Sequence, residues 1–448
     1  MLKVWLPLTK ETNNQGVSGT KFTNTGATLS TGYGPIGNSF LFDGTNDQIE
    51  GTYPCHEAEY TACMWVNFSK INVHLLDMRS KTGETGYQPM YVGSSGVQVG
   101  GSNSSYVYIN FVPSLDTWYH LCVTADSTKT SLYVNGEYYN STTSAKATNF
   151  NKDMEVHLGS RCSGANWFGG RVADFRIYNT CLTANEVKAI VRSPILHYKY
   201  WTSGQSEVID SSGFNRNATI VGTITSETGE NPGRYGKAIG VGSSADNYFY
   251  VTSPSSMTKS ISFWLKTPKT ASTVCFADYK SKMAFGLNGS GYIIANCDTL
   301  NVKMYDAASL IANKFNHIVI VKNEADTDVD LYINGTQVTT RYSNNYWTHS
   351  SDTLMFGRRS TGTPMSCSVS DIRVYSVRLT SDEILDLYHT PLKLMQDGTN
   401  QTFELIENTV NKVQITQNGQ LINNEFVEST SGNEFKSTQV ISNEFIER

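Results

Sequence analysis

The feature that most constrains this chain is that it repeats itself once. Trp118-Tyr119-His120-Leu121-Cys122-Val123 is matched by Phe315-Asn316-His317-Ile318-Val319-Ile320, and Leu132-Tyr133-Val134-Asn135-Gly136 by Leu331-Tyr332-Ile333-Asn334-Gly335. Asp174-Phe175-Arg176-Ile177-Tyr178 returns as Asp371-Ile372-Arg373-Val374-Tyr375, and Leu182-Thr183-Ala184-Asn185-Glu186-Val187 as Leu379-Thr380-Ser381-Asp382-Glu383-Ile384. Met64-Trp65-Val66 matches Phe263-Trp264-Leu265. The matches keep their order at a spacing of about 197 residues. That period is too long for a solenoid unit, so each copy is a whole domain.

Each copy reads as β-structure. Tyr, Phe, Ser, Thr, Asn and 36 Gly favour strands joined by turns. Asn135-Gly136 and Asn334-Gly335 each stand between strand-like runs, and Asn-Gly supplies the positive φ angles of a type I′ hairpin turn. A short helix closes each copy. Thr183 with Glu186, and Thr380 with Glu383, have capping-box spacing, and Pro194 and Pro391 follow as stops. The expected domains are residues 1–194 and 195–391, with a separate tail at 392–448.

Composition excludes several classes. Of 448 residues 17% are charged and the formal net charge is −5, with no basic stripe, so nucleic-acid binding through phosphate neutralisation is not expected. No stretch approaches the 18 apolar residues of a membrane span. The opening Met1–Leu8 is broken by Pro7 and has no small-residue cleavage site, so a secretory leader is not expected. Eight cysteines form no C-x-x-C pair, and Cys63 and Cys122 lie in apolar strand patterns as core thiols.

Taken together, Phe42-Asp43-Gly44-Thr45-Asn46-Asp47-Gln48-Ile49, the strand with Trp65, the Trp118 strand, the Leu132–Gly136 hairpin and the Asp174–Tyr178 strand with its helix resemble the laminin-G-like, concanavalin A-like jelly-roll family. The version resembled is common in bacterial and bacteriophage surface proteins. The fold class implied is all-β: two tandem concanavalin A-like β-sandwich jelly rolls plus a β-rich C-terminal tail. The opening Leu2–Leu8 with Asn13-Asn14-Gln15-Gly16 also resembles openings of structural proteins of gut bacteriophages. That resemblance implies a virion protein made in the host cytoplasm.

Such a fold serves glycosidases, lectins and spacers alike. A glucanase needs two carboxylates on one strand, about 5 Å apart for retention. The nearest pattern, Glu324-Ala325-Asp326-Thr327-Asp328-Val329-Asp330, falls at a loop, and no hydrolase or phosphate-loop motif occurs, so no catalytic residue and no enzyme activity are expected. The resemblance implies a structural calcium at Asp43, Asp47 and Asp174. The second copy keeps Asp371 but has Gly242 in place of Asp43, and should bind calcium weakly or not at all. His120 and His317 are expected to be packed, with a ring nitrogen satisfying a backbone group. Arg176 and Arg373 are expected to be strand-face residues not paired with their neighbouring aspartates. A sugar site needs a stacking ring with planar polar partners. Asn166 and Trp167 in the glycine-rich loop, Tyr139, and Tyr346 with Trp347 are the candidates.

The tail matches neither copy. Lys412–Thr416 alternates, Asn418-Gly419 marks a hairpin, and Asn-Glu-Phe recurs at Asn424, Asn433 and Asn443. So few large apolar groups cannot hold a core, so the tail is expected to pair its strands with other virion proteins or other copies, making a homo-oligomer. The expected function is a non-enzymatic bacteriophage fibre, appendage or capsid decoration that adheres to host or mucosal glycans or holds other fibre parts. A glycan-active hydrolase and a bacterial surface lectin are the alternatives.

Overall fold

The computed structural model describes residues 1–55, 59–80, 87–102, 105–144, 152–227, 237–242, 244, 246–252, 258–267, 274–277, 283–287, 292–297, 302–306, 310–322, 329–338, 340–344, 353–357, 366–389, 393–394, 403–409, 412–417 and 420–428. Tyr346, Trp347, Asn418-Gly419, most of the Glu324–Asp330 segment, and the second and third Asn-Glu-Phe motifs lie outside the described residues. The chain divides into two units: Met1–Ile195 with Ser253–Thr258, and Leu196–Thr252 with Lys259–Arg448.

Unit 1 begins with β1 (Leu2–Leu6), β2 (Phe22–Thr25), β3 (Thr28–Ser30), β4 (Ser39–Asp43) and β5 (Gln48–Cys55). It continues through β6 (Tyr60–Phe68), β7 (Val73–Ser80), β8 (Tyr87–Gly93), β9 (Gly96–Ser102) and β10 (Ser105–Ile109). It closes with β11 (Trp118–Ala125), β12 (Thr130–Val134), β13 (Glu137–Thr142), β14 (Lys152–Leu158), β15 (Gly169–Tyr178) and α1 (Ala184–Arg192). One sheet has the order β13-β12-β11-β6-β15-β4-β3, with β1 also on β15. The other has the order β10-β9-β8-β7-β14-β5-β2. All the ladders are antiparallel.

The core lies between the two sheets and is filled by alternate strand residues such as Phe42, Val66, Phe68, Leu76, Val92 and Val156, with Phe168 from the turn before β15. Phe168 meets Phe42 and Phe68 edge-on, each at 5.6 Å. Every residue of β6 is buried. The reason is that α1 covers the far side of its sheet, where Cys63, Cys122 and Tyr133 pack with Val187. A strand covered on both faces reads as a continuous apolar run, not as an alternation. Both cysteines are buried and free.

Local signals fold as their residues dictate. Asn135 and Gly136 have φ of 53° and 84°, and Asn334 and Gly335 of 51° and 79°, the type I′ pattern. Thr183 Oγ1 accepts from Glu186 N, and Glu186 Oε2 accepts from Thr183 N at 2.8 Å. The same reciprocal pair joins Thr380 and Glu383 at the start of α2 (Ser381–His389).

Unit 2 repeats the first sheet. Its order is Ile224–Glu227, Ala238–Val241, Cys367–Tyr375, Ser260–Lys266, Phe315–Lys322, Val329–Ile333 and Thr336–Gln337, with Leu196–Tyr198 also on Cys367–Tyr375. The remaining strands form a four-stranded sheet ending in Thr353–Phe356 and a five-stranded sheet running from Val274–Ala277 to Thr340–Asn344. Phe249 stacks on Phe356 at 4.9 Å, and Phe263 meets Phe285 at 5.4 Å. In the tail, Lys393–Leu394, Phe403–Thr409, Lys412–Gln417 and Gln420–Glu428 form one antiparallel sheet in chain order.

The aspartate of the shared Asp-x-Arg motif departs from the sequence reading. Asp174 and Asp371 have left-handed φ of 54° and 50°. Each sits in a bulge, between Ala173 and Arg176 in unit 1 and in the matching stretch of unit 2. The bulge turns the carboxylate onto the arginine two residues on. Arg176 Nε donates to Asp174 Oδ1 at 2.8 Å, and Arg373 Nε to Asp371 Oδ1 at 2.7 Å. These arginines are therefore paired, not merely strand-face residues. A second donor completes each pair: Trp5 Nε1 at 2.7 Å in unit 1 and His197 Nε2 at 2.8 Å in unit 2. The buried histidines differ too. His120 N and His317 N donate to Asn135 Oδ1 and Asn334 Oδ1, both at 2.9 Å. The ring of His120 packs edge-on against Trp65. His317 Nε2 hydrogen-bonds Ser262 Oγ at 2.8 Å, a side chain where a backbone partner was expected.

Candidate functional site

The outward face of the second sheet of unit 1 carries the candidate site. In β7 an irregularity in register falls between His74 and Leu76. The extra residue, Leu75, shifts the alternation, so His74 joins Asp77 and Arg79 on the outward face while Leu76 and Met78 stay in the core. The next three strands keep one polar or aromatic residue outward, with a second irregularity where β10 passes from Val107, opposite Gly100, to Tyr108, opposite Gln98. Tyr91 lies between core residues Met90 and Val92, Gln98 between Val97 and Val99, and Tyr108 beside core Ile109.

Register then sets these residues side by side. His74 is opposite Tyr91, Tyr91 opposite Gln98, and Gln98 opposite Tyr108. Four residues on four neighbouring strands make one row, about 14 Å long at a strand spacing of about 4.8 Å. His74 and Tyr91 meet edge-on at 5.0 Å. The row lies in a cleft of about 220 Å³ lined by His74, Arg79, Tyr91, Gln98, Tyr108, Arg161 and Asn166.

The loop between β14 and β15 forms one wall. Gly159 N donates to Leu75 O and His74 N to Asn166 O, at 2.9 and 2.8 Å, which ties both ends of the loop to β7. Arg161 N donates to Ala165 O at 3.0 Å and Gly164 N to Arg161 O at 2.8 Å, closing a tight turn. Asn166 takes a left-handed φ of 53° and places Nδ2 at 3.4 Å from His74 Nδ1. Asp77, fully buried, holds the base together: its Oδ2 accepts from Arg79 Nε at 2.8 Å and from Cys162 N at 3.0 Å.

Burial dominates the electrostatics. It pulls His74 down to about 4, helped by Arg161 and Arg79 and opposed by Asp77, so the imidazole is neutral at neutral pH. Burial also raises Tyr91, with Tyr108 adding to the effect. None of the seven lining residues is a carboxylate. Gln98 is buried and its Nε2 donates to Gly100 O at 3.3 Å, so a ligand hydroxyl would share that amide. The cleft can therefore stack rings on two tyrosines, hydrogen-bond hydroxyls through Asn166 and the Gln98 amide, and attract negative charge.

Of the sugar candidates named from sequence, Asn166 lines this cleft and Trp167 does not, being half-buried beside Gly164. Tyr139 stands on β13 in the other sheet, where its hydroxyl donates to Asn110 O at 2.6 Å and its ring packs on Phe111. His74, Arg79, Tyr91, Gln98, Tyr108 and Arg161 were not singled out. The available signal was a polar or aromatic residue between apolar ones in successive short strands.

The three aspartates named for calcium do not make one site. Asp43 Oδ1 accepts from Thr45 N at 2.7 Å, and Asp47 Oδ2 accepts from Asp43 N at 2.7 Å, so both carboxylates shape their own loop. Lys70 Nζ donates to Gly44 O at 2.6 Å, which sets an ammonium beside the same loop. Gly169 is opposite Asp43, and Asp174 lies five residues farther along β15, about 16 Å at strand rise. Asp174 is in turn committed to Arg176 and Trp5. The residues present do not fit calcium.

Comparison with known proteins follows this architecture. No curated protein matches the chain. Among solved structures, domain 4 of AbnA, a GH43 extracellular arabinanase from Geobacillus stearothermophilus in complex with arabinotriose, is 18% identical with a TM-score of 0.35 over 42% of this chain and 97% of that one. A native heptameric SAP-like pentraxin from Limulus polyphemus is 20% identical with a TM-score of 0.30, over 34% and 79%. The receptor binding domain of botulinum neurotoxin D is 12% identical with a TM-score of 0.35, over 83% and 97%. The laminin G family model described as "Concanavalin A-like lectin/glucanases superfamily" matches residues 14–188 and 242–385. These two regions cover most of the chain, one in each copy of the repeat, and the protein belongs to that family of concanavalin A-like jelly rolls.

Proposed function

We propose that the protein is a glycan-binding protein without hydrolytic activity, and that a saccharide lies along the row His74–Tyr91–Gln98–Tyr108 of unit 1. One observation carries this reading: two tyrosines flank an amide in register across adjacent strands, in a cleft on the outward face. Ring faces on the tyrosines match the C–H faces of a sugar, and the planar amide matches paired hydroxyls. Among the described residues the lining holds no carboxylate, which supports binding over glycoside hydrolysis, a reaction that needs an acid and a second carboxylate at the scissile bond.

The same reading places the protein on a bacteriophage particle, held by its tail. Among the described residues the tail sheet has Gln420–Glu428 as its last strand, and an edge strand is a template for strand addition by a neighbour. Among the described residues no helix is long and apolar enough to cross a membrane.

Probing a glycan array with the full chain and its Tyr91→Ala and Gln98→Ala variants tests the binding role. The wild-type chain should bind a defined set of glycans and both variants should lose them; signals equal in all three proteins would end this reading. Mass spectrometry of purified particles tests the location, which fails if the chain is absent from them.

A further inference from the structure

We infer that the saccharide held by this cleft is acidic, and that Arg161 recognises its carboxylate or sulfate. This inference rests on the cleft being a glycan site. Arg161 stands in the loop wall, and its Nε is buried with no hydrogen-bond partner among the described residues. A buried donor left unmade is costly, so a ligand acceptor is the natural completion of this group. The other arginine, Arg79, already has Asp77 at 2.8 Å, which cancels its charge within the cleft base. The Arg161 guanidinium makes no ion pair among the described residues, and no lining residue is acidic, so its charge is left to the ligand.

The chain as a whole is acidic, with a formal charge of −5. The cleft is thus a local exception, and a cleft of one sign focuses the field on a charge of the other. A guanidinium offers a planar fork that matches a carboxylate or sulfate bidentately. In the same cleft Asn166 and Gln98 line the path of the hydroxyls, and Tyr91 and Tyr108 that of the ring faces.

The test uses the full chain and two matched probe pairs in titration calorimetry at low salt. One pair is an oligogalacturonate and its methyl ester; the other is a chondroitin sulfate oligosaccharide and its desulfated form. The acidic member of at least one pair should bind about 10- to 100-fold more tightly, the range of one charge-assisted hydrogen-bonded contact. Preference confined to the first pair assigns a carboxylate, and to the second a sulfate. Arg161→Gln should erase that preference, bringing the two members of the pair to one affinity, and Arg161→Lys should restore part of it. Thermal unfolding of each variant verifies the fold. Equal affinity within both pairs, or a preference that survives in Arg161→Gln, overturns the acidic assignment while leaving the glycan cleft standing. If no glycan of any charge binds, or if Tyr91→Ala binds all of them normally, the cleft reading itself fails.

Discussion

The two units share one sheet and diverge in the other. In the shared sheet the correspondence reaches single hydrogen bonds. Asp174 and Asp371 are both left-handed and both hold an arginine two residues on, and Asn135 and Asn334 both accept from the histidine backbone opposite. In the second sheet the ladders themselves differ. β14 joins β5 to β7 in unit 1, whereas Thr353–Phe356 pairs only with Tyr248–Thr252 among the described residues. The buried pair Leu287 and Ile293 occupies the place of Val92 and Val97. One step along from that pair, Tyr91, Gln98 and Tyr108 of unit 1 are replaced by Gly286, Ile294 and Met304 in register. What the duplication retained is the frame. What it varied is the residues along the second sheet, and among the described residues the row of tyrosines and amide stands in unit 1.

The largest effect should come from the shared frame. Replacing Asp174 by Ala leaves Arg176 without its carboxylate in a buried setting, which costs about 3 kcal/mol or more. Replacing Asp371 by Ala should cost a similar amount through Arg373. Denaturant unfolding should show each variant lowering one transition. A large loss at one site and none at the other would break the equivalence of the units.

Binding should be confined to unit 1. Calorimetric titration should give one site per chain. Tyr91→Ala should weaken it by about 1–2 kcal/mol, roughly 5- to 30-fold, the loss of an aromatic stacking contact and its buried area. Trp167→Ala and Tyr139→Ala should change affinity little, since neither side chain lines the cleft. Two equivalent sites would contradict the contrast between the faces.

Acid should weaken unit 1 through His74. Burial holds its pKa at about 4, below the 6.5 of the unfolded chain. The unfolded chain therefore takes up a proton that the fold refuses. That contribution to stability is fully present above about pH 6.5 and is lost as the pH falls toward about 4. The expected loss is about 1–2 kcal/mol, reduced from the full shift by solvent screening. His74→Gln should flatten that part of the pH profile. The part from His197 in unit 2, also pulled down by burial against the pull of Asp371, should remain.

The smallest effect should be at the helix caps. Thr183→Ala and Thr380→Ala should each cost about 1 kcal/mol, equally in the two units, as measured by thermal unfolding.

What was legible in the sequence was whatever short-range chemistry dictates. Asn135-Gly136, Thr183 with Glu186, and their partners in the second copy announced turns and caps because each signal is complete within a few residues. The duplication itself was visible for the same reason. The Asp174–Arg176 pair was misread because an ideal strand would hold the two side chains apart along one face, and only a left-handed bulge at Asp174 brings them together. The calcium set failed on register, since nothing in the sequence tells that Gly169, not Asp174, faces Asp43. In the cleft, Asn166 was found from its glycine-rich loop. The row through Tyr91, Gln98 and Tyr108 was not, because it exists only across four strands and depends on the one-residue slip at Leu75.

The most direct test of the binding face is a co-structure of the full chain with the tightest ligand from the array. The account predicts one saccharide per chain, its rings over Tyr91 and Tyr108 and its hydroxyls on Gln98. A saccharide seated elsewhere in the chain, with this row left bare, would contradict it.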